Sequence, residues 1–272
     1  MGGDDKSGVV IILAALRELL GEDLPHPPLE VVFTVAEETG LNGAKALEYD
    51  RLNAETGYVL DGGRTMGVVT NAAPSAFGLT FEVKGVAAHA GVCPEEGVNS
   101  IQAAAEAIAN IPLSRLDFET TANIGVIEGG DATNIVPALT VVRGEARSHD
   151  EGKLKAQVHR MTQAFAQAGE KYGAEVRSEV QRSYTRFRVA EDELVIRHAL
   201  RAAAQLGFEP TTETGGGGSD ANIFNEHGIP TVIMATGPAD VHTVKESVDC
   251  ERMAESARWL VATLSLIASE AG

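Results

Sequence analysis

The chain has 272 residues and a formal net charge of −17, with 39 acidic side chains against 22 basic ones. This acidic balance argues against nucleic acid and anionic membrane surfaces as partners, because both attract basic patches. The hydrophobic fraction of 44% is enough for a large buried core, so the length allows one large domain or two smaller ones.

The sequence shows no pattern of export or membrane insertion. It contains no run of about eighteen apolar residues, the length that a membrane-spanning helix needs. Its first residues are acidic and lack the basic and apolar regions of a signal peptide. Cys93 and Cys250 lie far apart in the sequence and suggest no disulfide framework. We therefore expect a cytoplasmic protein.

The first predicted element is an amphipathic helix that Gly21 and the prolines of residues 25–28 bring to an end. Its apolar residues recur at helical spacing, which predicts one buried face. The residues expected on that face are Val9, Ile12, Leu13, Leu16, Leu19 and Leu20.

The next elements continue an alternation of helix and strand. Residues 29–36 (LEVVFTVA) are almost continuously apolar and β-branched, as in a buried strand of a parallel sheet. Residues 40–47 predict a short helix, and residues 56–60 predict a second buried strand. The first seventy residues therefore indicate a layered α/β domain.

From about residue 74 the pattern becomes that of an α+β unit, and after about residue 189 the α/β alternation resumes. The strands and helices between follow the order β-α-β-β-α-β, typical of a ferredoxin-like unit. We predict one domain built from residues 1–73 and 186–272, interrupted by an inserted domain at residues 74–185. The predicted elements are a strand around 77–83, helix 99–110, strands 123–128 and 139–148, helix 153–172, strand 175–182, helix 194–206, strand 231–235 and helix 253–267.

Acidic residues and a histidine follow the predicted strands of the α/β domain. Glu37 and Glu38 come directly after one strand and Asp61 after the next, whereas His242 lies in the loop after residues 231–235. Loops beyond the carboxyl ends of parallel strands converge on one crevice. Carboxylates with an imidazole suit a divalent metal such as Zn²⁺. One of two adjacent carboxylates can bind the metal while its neighbour accepts a proton from water.

Each feature alone also has an ordinary structural interpretation. Asp4 and Asp5 precede a helix, whose N-terminus favours negative charge. Asp61 precedes two glycines, as in a turn, and the glycines at 215–218 are typical of a flexible loop. Only the combination and order of these features favour a metal site.

Seven motifs in chain order resemble the M20 family of metallopeptidases, and most closely its peptidase T-like (tripeptidase) branch. The resemblance implies an α/β fold: a zinc-exopeptidase-like layered catalytic domain interrupted by a ferredoxin-like α+β dimerisation (lid) domain. It also implies hydrolysis of peptide bonds in small peptides with two divalent metal ions, zinc being expected and cobalt or manganese being alternatives. The motifs are GDDKSG, TVAEETG, LDGG, GVAAHAGVCPEEGVNSI, GGDATNIVPA, TGGGGSDAN and VHTVKESVD.

The resemblance carries metal and catalytic roles to single residues. Asp4 matches the carboxylate that bridges both metals, and Glu37 matches the general base. Glu38 matches a terminal metal ligand, and Asp61 a terminal ligand of the other metal. His242 matches the histidine ligand near the C-terminus.

Other matching residues imply contacts with the substrate. His89 matches an imidazole that donates to the oxyanion from the inserted domain, often across a dimer, so a homodimer through that domain is expected. Asn134 and Arg147 match substrate-contacting positions, and Arg147 can hold a peptide carboxylate by two hydrogen bonds. The loop positions that match substrate contacts are Gly217, Gly218 and Ser219.

The sequence departs from the family pattern in one respect. The family has an earlier strand followed by a His-x-Asp motif, whose histidine binds one metal and whose aspartate orients it. No His-x-Asp occurs in this chain. We therefore expect one metal to keep Asp4 but lack its imidazole, and the sheet to lack strands and expose an edge and apolar faces.

Three functions remain open. The first is a fragment of an M20 tripeptidase or aminopeptidase, with weak or absent activity in these 272 residues. The second is another M20 amidohydrolase, such as a carboxypeptidase or aminoacylase. The third is a non-enzymatic truncated chain that folds and dimerises. The pair of motifs EETG and LDGG, with Asp61 as the later ligand, favours the peptidase T-like branch.

Overall fold

The computed structural model describes residues 2–271. The helices are α1 (Gly3–Gly21), α2 (Asn42–Lys45), α3 (Ser100–Ala109), α4 (Glu151–Tyr172), α5 (Leu194–Gln205), α6 (Asp220–Glu226) and α7 (Cys250–Ala271). The strands are β1 (Gly57–Gly62), β2 (Val68–Ala73), β3 (Ser75–Lys84), β4 (Ser114–Arg115), β5 (Thr120–Gly129), β6 (Leu139–Ser148), β7 (Glu175–Tyr184), β8 (Phe187–Arg188), β9 (Thr211–Thr214), β10 (Thr231–Ala235), β11 (Pro238–Ala239) and β12 (Ser247–Val248).

The chain divides into two compact units. Unit 1 consists of Met1–Ala73 and Phe187–Gly272, and unit 2 consists of Pro74–Arg186. Unit 1 is a layered α/β structure, and unit 2, inserted into it, is an α+β structure.

The main sheet of unit 1 has the strand order β1-β10-β2-β8, and β9 also pairs with β2. The β1–β10 and β2–β9 pairs are parallel, whereas β10–β2 and β2–β8 are antiparallel. The sheet is therefore mixed, and the expectation of a parallel sheet is wrong. The connection between β1 and β2 is too short for the crossover that keeps two strands parallel, so the chain reverses direction there.

Helices α1, α5 and α7 share the hydrophobic core of unit 1 with this sheet. Trp259 of α7 is fully buried, and its Nε1 donates a hydrogen bond to the Ala199 carbonyl oxygen of α5 at 2.7 Å. A buried indole needs such an acceptor, because its N–H is otherwise left without a partner.

The predicted buried face of the first helix is wrong in part. Ile11, Ala15 and Leu19 form the buried stripe of α1, whereas Leu13 and Leu20 are 53% and 68% exposed. Val9 is also exposed, and Ile12 and Leu16 are only half-buried. Apolar residues occur on more than one side of α1, so their spacing alone does not reveal which stripe contacts the sheet.

Residues 29–36 do not form the predicted strand. The segment is extended, but no strand of residues 2–271 pairs with it. Val31, Phe33 and Val35 are 43%, 50% and 73% exposed. A strand requires backbone hydrogen bonds from a neighbour, and the edge strand β1 forms its sheet pairs with β10 instead.

Unit 2 confirms the ferredoxin-like prediction. Its sheet is antiparallel throughout, with the order β4-β5-β6-β3-β7. Helices α3 and α4 contribute to one core with this sheet, where Phe81 and Phe165 stack at 3.8 Å between ring centroids. Asp150 caps the start of α4 by accepting the Lys153 N–H at 2.8 Å.

Within residues 2–271, no helix combines the length and the apolar character needed to cross a lipid bilayer.

Candidate metal centre

Asp4, Glu38 and His242 converge in unit 1 from the non-helical start of α1 and from two loops. Their possible ligand atoms all lie within 4.8 Å of one another. His242 Nε2 lies 3.1 Å from Asp4 Oδ2 and 3.3 Å from Glu38 Oε2. Two carboxylates and one imidazole form a donor set that Zn²⁺ commonly accepts, so the three side chains fit a divalent metal. We call these three residues the ligand cluster.

The backbone of Asp4 is held by a residue that the sequence analysis missed. Glu246 Oε1 accepts the N–H groups of Gly3 at 2.6 Å and Asp4 at 3.3 Å. A Cβ at Gly3 would lie 2.4 Å from Val248 Cγ2, so only glycine allows this close approach. Glu246 belongs to the VHTVKESVD motif that supplies His242, and its place in that motif was the only available signal.

Asp5 points to different partners. Its Oδ1 accepts the Gly8 N–H at 2.8 Å and the Ser7 hydroxyl at 3.0 Å. The backbone angles of Asp4 and Asp5 are not helical, and the peptide bond between them is cis. The bond from the Gly8 N–H makes the Asp5 side chain a cap for the helical part of α1. Burial raises the pKa of Asp5 to about 7, although these two hydrogen bonds oppose the shift.

Glu37 and Glu38 follow the unpaired segment 29–36 at a tight turn. Ala36 has a left-handed backbone with φ 56°, which a residue with a Cβ rarely adopts. Amides of α2 hold the turn, since Asn42 N donates to the Ala36 oxygen at 3.2 Å and Gly43 N to the Val35 oxygen at 2.8 Å. The turn directs Glu38 into the ligand cluster.

The electrostatic surroundings of Glu37 favour its neutral form. Burial, followed by repulsion from Glu38 and Asp220, raises the pKa of Glu37 to about 7. A carboxyl group with a pKa near neutrality can both accept and release a proton at physiological pH.

Asp61 lies at a β-bulge of β1. Leu60 pairs with Met234 and Gly62 with Ala235, so Asp61 is the extra residue between them. A bulge redirects a side chain out of the regular alternation. The Asp61 carboxyl is close enough to Asp4 for a hydrogen bond, and burial, followed by repulsion from Asp5, raises its pKa well above the usual range. Asp4 thus contacts Asp61 as well as His242.

The loop that carries His242 is also strained. His242 and Asp240 have φ values of 61° and 54°. Thr243 organises the turn, because its hydroxyl donates to the Asp240 oxygen at 2.7 Å and accepts the Lys245 N–H at 3.1 Å. Left-handed non-glycine residues persist where the surrounding structure fixes them, and they are concentrated at functional sites.

The glycine-rich loop leads into α6. Gly217 is exposed, Gly218 is half-buried, and Ser219 is 2% exposed. The Ser219 hydroxyl accepts the Ala221 N–H at 3.2 Å, and Ser219 N donates to Asn222 Oδ1 at 3.0 Å. The hydroxyl therefore serves as a helix cap, and the predicted substrate contacts of this loop stay predictions.

In unit 2, two predicted substrate residues lie on neighbouring loops. Ala90 N donates to the Asn134 oxygen at 3.0 Å, and His89 forms a β-bridge with Ile135. His89 and Asn134 are both exposed. The Gly91 N–H donates to His89 Nδ1 at 3.2 Å, so the neutral imidazole carries its proton on Nε2 and can donate from there.

Arg147 lies at the other end of the unit 2 sheet. It pairs with Ala76 at the start of β3, whereas Lys84 and Leu139 pair at the end that leads to the His89 and Asn134 loops. Eight residues of strand correspond to roughly 27 Å. One guanidinium nitrogen of Arg147 donates to Glu145 at 2.9 Å. Unit 2 therefore brings His89 and Asn134 together but does not bring Arg147 to them.

Comparisons with known proteins agree with this fold. Residues 3–266 match the model of peptidase family M20/M25/M40, and the chain belongs to this family. The protein YqjE of Bacillus subtilis (strain 168) is 40% identical over 264 residues, 97% of this chain and 71% of that protein.

Two solved structures are similar over nearly the whole chain. Aminopeptidase PepT of Bacillus cereus ATCC 10987 is 43% identical with a TM-score of 0.84, covering 98% of this chain and 72% of that one. A tripeptidase of Staphylococcus aureus subsp. aureus Mu50 is 36% identical with a TM-score of 0.91 and the same coverage. The predicted M20 family, its peptidase T-like branch, the fold class and the enzyme class are thus confirmed.

Proposed function

We propose that this chain is the metal-binding part of a peptidase that hydrolyses small peptides. The observation that carries the proposal is the convergence of Asp4, Glu38 and His242 from three separate segments of the chain. A divalent metal bound there, zinc by expectation and cobalt or manganese as alternatives, supplies positive charge that polarises the scissile carbonyl and acidifies water. The net negative charge of the surrounding carboxyl groups supports a cation at this position.

Glu37 is the proposed general base. It neighbours Glu38 in sequence but is not part of the ligand cluster, so its carboxylate is free of that contact. Glu37 takes the proton of the attacking water and passes it to the leaving amine. His89 Nε2 is the proposed hydrogen-bond donor to the oxyanion.

The second metal site is proposed to be incomplete. Asp61 lies beside Asp4, so these two carboxylates can share a second cation. The chain has no His-x-Asp motif to supply the further imidazole. We therefore expect a second metal to bind more weakly than the first, and peptidase activity of these 272 residues to be weak or absent.

The proposed substrate is a small peptide, because the relatives include proteins described as an aminopeptidase and a tripeptidase. Asn134, Arg147 and the loop Gly217–Ser219 are the proposed substrate contacts. A tripeptide spans at most about 10 Å, so one held by Arg147 would lie far from His89 of the same copy. This separation supports the proposed homodimer through unit 2, which sedimentation of the purified chain tests by its mass.

Titration of the metal-free chain with Zn²⁺ or Co²⁺ tests the metal centre. We expect one tight site, lost in His242→Ala and in Glu38→Gln, and kept in the control His159→Ala on α4. Binding that survives both cluster substitutions would contradict the proposal.

Hydrolysis assays then separate the enzymatic alternatives. Weak, zinc-dependent cleavage of tripeptides supports the peptidase, whereas preference for N-acyl amino acids or C-terminal cleavage favours another M20 amidohydrolase. Robust tripeptide turnover would overturn the expectation of impaired activity. A chain that binds metal and dimerises without any turnover fits the non-enzymatic alternative.

A further inference from the structure

The segment that carries Glu37 and Glu38 lacks the support that a sheet gives to a strand. Residues 29–36 have no strand neighbour within residues 2–271, so other contacts must fix the position of the two glutamates. Two amides of α2 bind the carbonyl groups of Val35 and Ala36. A third contact comes from a side chain: Thr34 Oγ1 donates a hydrogen bond to Asp220 Oδ2 at 2.5 Å.

Asp220 belongs to α6, a helix that is hydrogen-bonded to the sheet of unit 1. It is the first residue of α6, inside the capping box that Ser219 and Asn222 form. Asn225 Nδ2 donates to the Ala221 oxygen within α6 and to the Thr231 oxygen of β10, each at 2.8 Å. The helix is therefore tied to the central strand of the sheet, and a group on its first residue has a fixed position.

The buried carboxyl group of Asp220 lowers the stability of unit 1. Asp220 is 7% exposed, and its Oδ1 has no hydrogen-bond partner in the part of the chain that the structure describes. Burial raises its pKa. A buried polar atom without a partner destabilises a fold, so the stability of unit 1 does not account for a carboxyl group here.

The position of Asp220 explains the presence of a carboxyl group better than stability does. Thr34 lies three residues before Glu37 and four before Glu38, so a fixed Thr34 restrains the backbone that delivers both side chains. On the other side of the turn, Gly43 approaches so closely that a Cβ there would lie 2.4 Å from the Val35 nitrogen. The segment is thus held between α2 and α6.

We propose that Asp220 is a positioning residue, which through Thr34 sets the placement of residues 34–38 so that Glu38 reaches His242 and Glu37 faces the reacting centre. This inference rests on the proposed function of the ligand cluster. It concerns the path of the backbone, which can be measured without metal or substrate.

The test compares Thr34→Val, which keeps the shape of the side chain but removes the hydroxyl, with Thr34→Ser, which restores it. Thr212→Val is a matched control, because it removes another threonine–carboxylate bond of unit 1, from Thr212 to Glu191 at 2.8 Å. Amide hydrogen exchange is read at Asn42 and Gly43, whose N–H groups bind the restrained segment. Zn²⁺ affinity is measured on the same samples.

We expect Thr34→Val to speed exchange at these two amides, and to weaken Zn²⁺ binding, by about tenfold each, as for a lost hydrogen bond to a charged group. In Thr34→Ser and Thr212→Val, we expect exchange at these amides and Zn²⁺ affinity to stay near the values of the unsubstituted chain. Asp220→Asn, which keeps an oxygen acceptor but no charge, gives a smaller change of about threefold.

The outcomes separate the two proposals. If the unsubstituted chain binds no Zn²⁺, the proposed function fails, while faster exchange in Thr34→Val still supports the positioning role. If Thr34→Val matches Thr212→Val in exchange, the positioning role is overturned even when Zn²⁺ binds. Should Thr34→Val not fold, unchanged exchange in Asp220→Asn overturns it instead.

Discussion

Glu151 of unit 2 and the carboxyl groups around the ligand cluster of unit 1 have opposite surroundings. In unit 2, Glu151 accepts two hydrogen bonds from Arg182 at 2.9 and 2.8 Å, and the pKa of Glu151 falls to about 2. In unit 1, burial raises the pKa values of Asp5 and Glu37 to about 7. Within residues 2–271, His242 is the only basic side chain within 4.0 Å of a ligand-cluster carboxylate.

This difference separates a carboxylate that supports the fold from a group of carboxyl groups suited to bind a cation. In unit 2, Arg182 neutralises Glu151, so this carboxylate has its own cation. Unit 1 collects carboxyl groups that repel one another and lose solvation, which is unfavourable unless protons or a metal neutralise them. Metal, pH and single substitutions each change this contrast in a different way.

The largest expected effect is stabilisation of unit 1 alone by Zn²⁺. Binding to the folded state only, at a concentration one hundred times the dissociation constant, adds about 2.7 kcal/mol. Trp259 is the single tryptophan and is buried in unit 1, so its fluorescence reports the unfolding of that unit. Hydrogen exchange in α4 reports unit 2. An equal gain in α4, or a gain that persists in His242→Ala, would contradict the prediction.

The second prediction concerns pH without metal. Raised pKa values mean that folded unit 1 binds more protons than the unfolded chain, so its stability falls as pH rises from about 4.5 to 7. We expect a loss of about 2 kcal/mol between pH 5 and 8, less than about 1.4 kcal/mol per pKa unit because both side chains are partly exposed. Unit 2, whose Glu151 titrates near 2, should stay constant over this range. Denaturant unfolding at both pH values measures this, and a flat profile for Trp259 fluorescence would refute it.

The third prediction concerns the ion pair of Glu151 and Arg182 in unit 2. Arg182→Met leaves Glu151 with the Ser75 hydroxyl but without the guanidinium that binds it, and the loss of hydrogen bonds between charged groups costs about 1.5 kcal/mol. We expect faster exchange in α4, with no change in Trp259 fluorescence or in Zn²⁺ affinity. Arg177→Met, on the exposed edge strand β7, is the control and should leave both units unchanged.

The same contrast explains what the sequence could predict. The strand 139–148 agrees residue for residue with β6, because its neighbours β3 and β5 lie within the same compact unit. The prediction of a strand at 29–36 is wrong, because an apolar pattern does not show whether a neighbouring strand is present to pair with it. The order of motifs was enough to predict that Asp4, Glu38 and His242 meet.

The sequence could not predict the residues that support the cluster. Glu246 and Asp220 act through contacts with partners 243 and 186 residues away. Such contacts leave no periodic pattern, and a lone acidic residue in a loop is usually solvated. The bulge at Asp61 and the left-handed backbone of Ala36 likewise depend on tertiary packing.

The smallest expected effect is a gain in stability. Asp61→Asn removes one buried acidic group from beside Asp4 and Asp5, so the metal-free chain should become more stable at pH 8 by about 1 kcal/mol, within the range of stabilising substitutions at functional sites. The same change removes a candidate ligand, so Zn²⁺ should stabilise the variant less than the original chain. Glu251→Gln, at the exposed start of α7, controls for the loss of one negative charge. If Asp61→Asn destabilises the metal-free chain at pH 8, repulsion is not the dominant interaction of Asp61, and the contrast between the two units needs another cause.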